Sequence, residues 1–153
     1  MIAVHYGKFR RSRMFKTFKY QQDPELAEAV CAMLRDDAKS PFDVFSEPLS
    51  NLLGRSSYPV EDLEIGILLN DDGLPCGYAV FSSTEIKQFY ISKSFRRRGL
   101  GKYMLEFLKQ IYKEKGAAII ELHAWGSEQA REFWASCGAY CEDSKSQLWC
   151  IEL

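Results

Sequence analysis

Arg96-Arg97-Arg98-Gly99-Leu100-Gly101 follows the apolar run Ile86-Lys87-Gln88-Phe89-Tyr90-Ile91 and opens a helical pattern that continues to Lys115. A strand, a glycine-bearing turn and a helix start make a device for holding anions. The backbone N–H groups of a first helical turn have no partner inside the helix, and the helix dipole favours negative charge at that end. Glycine lets such backbone approach a ligand closely, because no Cβ intervenes. The three arginines add fixed positive charge on planar donors. The stretch predicts a phosphorylated cofactor, and the pyrophosphate of such a cofactor as the group held.

Two common phosphate motifs do not fit. A P-loop needs Lys-Ser or Lys-Thr after its last glycine, and Gly101 is followed by Lys102-Tyr103. A dinucleotide fingerprint needs a third small residue at position 104, which is Met. The hexamer resembles instead the Arg/Gln-x-x-Gly-x-Gly/Ala signature of the GNAT superfamily of N-acetyltransferases, and Ile91-Ser92-Lys93-Ser94-Phe95 resembles that family's approach to it. A second stretch, from Leu122 to Gly138, is similar to the family's Asn-x-x-Ala-x-x-aromatic-Tyr-x-x-x-Gly-Phe hallmark. Ala130, Phe133 and Gly138 fall at matching offsets. Ser127 stands for the usual Asn, and both are good N-caps. Trp134 stands for the usual Tyr and Ala139 for the usual Phe. The resemblance runs from about residue 14 to the C-terminus and is specific between residues 85 and 138.

The chain has 153 residues, 46% of them hydrophobic, a size and composition that suit one globular domain with a core. Its net charge of −1 provides no global field for nucleic acid or membrane, and no apolar run reaches membrane-spanning length. The opening Met1-Ile2-Ala3-Val4-His5-Tyr6 lacks the features of a secretory signal. The five cysteines have no paired metal-ligand spacing, so they read as reduced thiols of a cytoplasmic protein with no metal site. Residues 1–13 form a basic extension, read as a flexible lead-in that could also pack across a homodimer. A polyanion-binding arm at residues 8–19 is the less favoured reading.

Along the chain the patterns predict a strand at 14–19 and a helix starting at Asp23-Pro24-Glu25, where an N-cap, a proline at N1 and an acid coincide. A short second helix is expected near residues 44–53. Strands at 63–69 and 76–81 flank the turn Asn70-Asp71-Asp72-Gly73-Leu74-Pro75. After the strand and glycine loop come a helix ended by Gly116, a strand at 117–125, a helix at 130–136 and a last strand at 147–152. The resemblance implies an α/β GNAT fold: a mixed, mostly antiparallel sheet with a central splayed parallel pair and helices on both faces.

The resemblance also implies acetyl-CoA as cosubstrate and transfer of its acetyl group to an amine in a ternary complex. The pantetheine arm would lie against free backbone around Phe89, Tyr90 and Ile91. The diphosphate would lie on the loop of Arg96, Arg97, Arg98, Gly99, Leu100, Gly101 and Lys102, with Ser127 at the next helix start. Glu85, eleven residues before Arg96, stands where histone-acetylating members carry a glutamate base, and in an apolar cleft its pKa would be raised. It could equally be a solvated strand-start residue. Glu121, His123 and Trp125 share a strand face, so His123 is a second proton acceptor and Glu121 a contact for a substrate cation. Indole has no useful acidity, so a proton for the leaving thiolate would come from Tyr140, Cys137 or water, unless none is needed. The expected acceptor is a small cationic amine, walled by Asp36, Asp37, Asp43 and Glu47. A protein acceptor and a non-catalytic acyl-CoA-binding module are the alternatives.

Overall fold

Among the described residues, seven strands form one sheet in the order β1-β2-β3-β4-β5-β7-β6. The structure, a computed structural model, describes residues 14–19, 23–37 and 63–153. The expected helix at 44–53, the extension 1–13, Asp43 and Glu47 lie outside the described residues. The elements are β1 (Met14–Lys19), α1 (Pro24–Asp37), β2 (Glu64–Leu69), β3 (Pro75–Phe81), β4 (Glu85–Ile91), a 3-10 turn (Lys93–Phe95), α2 (Leu100–Glu114), β5 (Ile119–His123), α3 (Glu128–Ser136), β6 (Tyr140–Asp143) and β7 (Leu148–Glu152). All neighbours pair antiparallel except β4 and β5, which are parallel.

Local chemistry accounts for the boundaries. Asp23 caps α1, its Oδ1 accepting from Leu26 N–H at 3.0 Å. Asn70 closes the β2–β3 turn by accepting from the N–H groups of Asp72 and Leu74. The sheet separates two cores. One, on the side of α2 and α3, joins Phe81, Ile86, Met104, Leu108, Leu122 and Trp134 among others. The other packs α1 residues Val30, Cys31 and Leu34 against Ile65, Tyr78 and Val80. Helices therefore lie on both faces, as expected. Strand β6 is the element that the sequence patterns miss. All four of its residues are exposed, so no alternation of burial marks it.

Candidate active site

The parallel pairing of β4 with β5 is confined to Glu85↔Glu121 and Ile86↔Leu122. Just past it, the register of β3 against β4 shifts between Val80 and Phe81, inserting Lys87 as an extra residue. Such a bulge bends its strand and increases local twist, and here it carries the rest of β4 away from β5. It also puts Lys87 and Gln88 on the same face, because Ile86 and Phe89 both belong to the α2-side core. Beyond the bulge, Ser92 N–H donates to Cys76 O of β3 at 2.9 Å. Antiparallel bonding alternates along a strand, so Tyr90 and Gln88 also bond toward β3. The backbone groups of Phe89 and Ile91 turn to the open gap.

The arginine loop closes one end of that gap. Arg97 and Gly99 both have positive φ, 61° and 75°. Gly99 is the N-cap of α2 and supplies no side-chain cap, unlike Asp23 of α1 and Ser127 of α3, which accepts from Ala130 N–H. The first backbone bond of α2 runs from Tyr103 N–H to Gly99 O, leaving the N–H groups of Leu100, Gly101 and Lys102 with no intrahelical acceptor. A cavity of about 430 Å³ runs from Phe89, Tyr90 and Ile91 past Arg96 and Arg97 to this helix end, with Ser127, Phe133 and Trp134 on its far wall. Arg96 is anchored: its Nε donates to Ile91 O at 2.9 Å and its guanidinium lies over the Tyr90 ring. Arg98 departs from the expectation. Its guanidinium stacks on Phe95, and it does not line the cavity. Gly101 has a different reason for lacking a side chain than phosphate approach, since an added Cβ would meet the Phe133 ring at 2.9 Å.

At the closed end of the gap, on the face opposite α2, His123 Nδ1 lies 3.0 Å from Glu85 Oε1, and Lys87 Nζ bonds Glu85 Oε2. Burial pushes the Glu85 carboxyl up, but hydrogen bonds and charge from Lys87 and His123 outweigh it, and the net shift is downward. The raised pKa expected for Glu85 is thereby corrected: Lys87, two residues along the same strand, shares its face and bonds its carboxylate. A carboxylate only accepts hydrogen bonds, so Nδ1 of His123 is the donor to Glu85, and in the neutral ring Nε2 is the nitrogen left with a lone pair. Nε2 has no hydrogen-bond partner among the described residues. Glu121 is exposed beside this pair and has no ion-pair partner among the described residues.

The model of the acetyltransferase (GNAT) family matches residues 28–139. The chain belongs to the GNAT acetyltransferase family. An N-acetyltransferase in the pepI 3' region of Lactobacillus delbrueckii subsp. lactis is 40% identical over 55 residues, 35% of this chain and 32% of that protein. A Bacillus subtilis (strain 168) protein named as an acetyltransferase is 34% identical over 76 residues, 47% and 50% of the two chains. The matches thus span between a third and a half of these curated relatives. Among solved structures, an N-acetyltransferase of Thermoplasma acidophilum in complex with coenzyme A superposes with a TM-score of 0.69 at 17% identity, covering 93% of this chain and 99% of that one.

Against this GNAT frame, the residue at the usual tyrosine position is a buried indole. Trp134 packs on Phe89 and Phe133 with ring centroids 5.0 Å away in each case. Tyr140 does not replace the missing phenol, because it lies on edge strand β6, separated from β5 by β7. Cys137 is half-buried and its thiol is pushed up by desolvation. Asp37 is not a free wall for an acceptor either: its carboxylate is bonded to Tyr90, Ser92 and Lys93. Among the described residues no group of His, Cys, Asp and Glu could hold a metal ion, and no helix is long and apolar enough to cross a membrane.

Proposed function

We propose that this chain is an acetyl-CoA-dependent N-acetyltransferase acting on the primary amine of a small cationic molecule by direct attack in a ternary complex. The observation that carries the reading is the parting of β4 from β5 beside a cavity that ends at the uncapped start of α2. The residues fit the cosubstrate. Free N–H groups of Leu100, Gly101 and Lys102, with Arg97, suit a diphosphate, and the gap-facing backbone of Phe89 and Ile91 suits an amide-bearing arm. Acetyl-CoA, when bound, supplies an acyl group already activated as a thioester.

The protein has then to align the amine and remove its proton. His123 Nε2 takes that proton, while Glu85 holds Nδ1–H and stabilises the imidazolium that forms. Glu85 is thus a positioning partner and His123 the base. Glu121 offers the acceptor's positive charge a free carboxylate on the same face. Trp134 excludes water from the cavity wall and donates no proton.

Calorimetry with coenzyme A and a free-thiol assay with acetyl-CoA and a panel of amines test the proposal. Binding heat together with amine-dependent thiol release is expected. Binding without release on any amine would overturn the transferase reading in favour of an acyl-CoA-binding module, the reading that Trp134 supports. Release with peptide amines alone would move the acceptor to a protein.

A further inference from the structure

Asp37 ends α1 and gathers three donors from the end of β4 and the turn that follows it. Its Oδ2 accepts from Tyr90 OH at 2.9 Å and from Lys93 N–H at 2.8 Å, and its Oδ1 accepts from Ser92 Oγ at 3.2 Å. Lys93 Nζ returns the contact, donating to Asp37 O at 2.7 Å. Ser92 is the one buried polar residue among those described. The three partners are consecutive with the cavity wall: Tyr90 and Ile91 line it, and the 3-10 turn after Ser92 delivers Arg96. Arg96 leans on the same structure, over the Tyr90 ring and onto Ile91 O.

We propose that Asp37 is a positioning residue for the cosubstrate cavity: its carboxylate pins the end of β4 and the first turn of the arginine loop to α1, and thereby fixes the wall made by Tyr90, Ile91 and Arg96. The cation of Lys93 on the last carbonyl of α1 reinforces the joint, because a helix C-terminus favours positive charge. The carboxylate geometry is demanding. Asn in its place keeps one oxygen for Tyr90 and Lys93, and its amide can donate to the Ser92 hydroxyl, which accepts as well as donates. Ala leaves all three donors without the acceptor.

The test uses the free chain first. Hydrogen exchange should quicken about tenfold at the amides of residues 92–99 in Asp37→Ala, and by less than about threefold in Asp37→Asn, with little change in β5 and β7. Unchanged exchange in Asp37→Ala, or acceleration spread evenly over the chain, overturns the proposal. Kinetics supply the second readout. KM for acetyl-CoA should rise about tenfold in Asp37→Ala while kcat at saturation stays within about twofold, and Asp37→Asn should restore most of the loss. A fall in kcat with KM unchanged also overturns it. Should Asp37→Ala fail to fold, Tyr90→Phe and Ser92→Ala each remove one donor and should show the same local exchange in smaller measure. The KM arm rests on the transferase reading and the exchange arm does not. Local exchange in the variant, with no coenzyme A heat from the wild type, supports the strut and counts against that reading alone.

Discussion

Lys87 and His123 each take one oxygen of the Glu85 carboxylate. A carboxylate so engaged holds its negative charge and is a weak proton acceptor for an amine, whereas the Nε2 of His123 has no partner among the described residues. Two substitutions separate the roles. His123→Ala should reduce kcat on the order of a hundredfold or more, within the range of general-base contributions. Glu85→Gln should cost less, since its amide oxygen can still accept Nδ1–H, and adding it to His123→Ala should cost little further because the two act as a unit. A large loss in Glu85→Gln with activity retained in His123→Ala would return the base to Glu85. Stability gives a second measurement. The folded Glu85 titrates below the ordinary value of 4.5, so the ion pair adds stability above that pH and loses it as pH falls through the lower folded value. Thermal melts of wild type and Glu85→Gln should differ at neutral pH and converge as the pH falls below the ordinary value of 4.5. A constant difference would mean that the carboxylate's charge is irrelevant there.

At the scale of elements, α2 is brought against α3 by the absence of a side chain at position 101. The ring of Phe133 fills that place and is itself wedged against Phe89 and Trp134. Gly101→Ala should therefore lower stability by about 1–3 kcal/mol in urea unfolding, the usual cost of overpacking. Phe133→Leu in the same chain should recover part of it; an additive further loss would show that the two sites do not meet. This packing role explains what was and was not legible beforehand. The glycine positions, the arginines and the Ala130–Phe133 spacing are local, so they can be read from consecutive residues. What Gly101 touches depends on α3, and the parting of β4 from β5 depends on a bulge at Lys87 visible only against β3. Lys87, two residues from Glu85 on the same strand face, is by contrast a local feature, and its contact lowers that carboxyl's pKa where the cleft alone would raise it. Arg98 is equivalent to its neighbours in sequence, and its turn away from the cavity onto Phe95 depends on the fold of the loop, in which Arg97 and Gly99 both take positive φ. Strand β6 left no pattern because it buries nothing.

Over the whole molecule the net charge is −1, yet the charges are sorted. Arg96, Arg97 and Lys102 rim the cavity at the start of α2, while Glu85 and Glu121 lie where β4 and β5 still pair. On the proposed function, such an arrangement would draw an anionic cosubstrate to one end of the gap and a cationic acceptor to the other, with no long-range field on the whole chain. Its signature is a salt dependence that tracks the ligand's phosphate charge. Screening lengths fall from about 10 Å at 0.1 M salt to about 3 Å at 1 M. Kd for coenzyme A should therefore rise on the order of tenfold over that range, and that of pantetheine, which lacks the nucleotide, should hardly move. Arg97→Gln should weaken coenzyme A binding and flatten its salt slope, because Arg97 lines the cavity. Arg98→Gln should leave the slope close to that of the wild type, since its guanidinium is spent on Phe95. Equal slopes for coenzyme A and pantetheine would show that the loop does not hold the diphosphate. A slope that Arg98→Gln flattens as much as Arg97→Gln would show that charge near α2 matters only in sum, not through the side chains that reach the cavity.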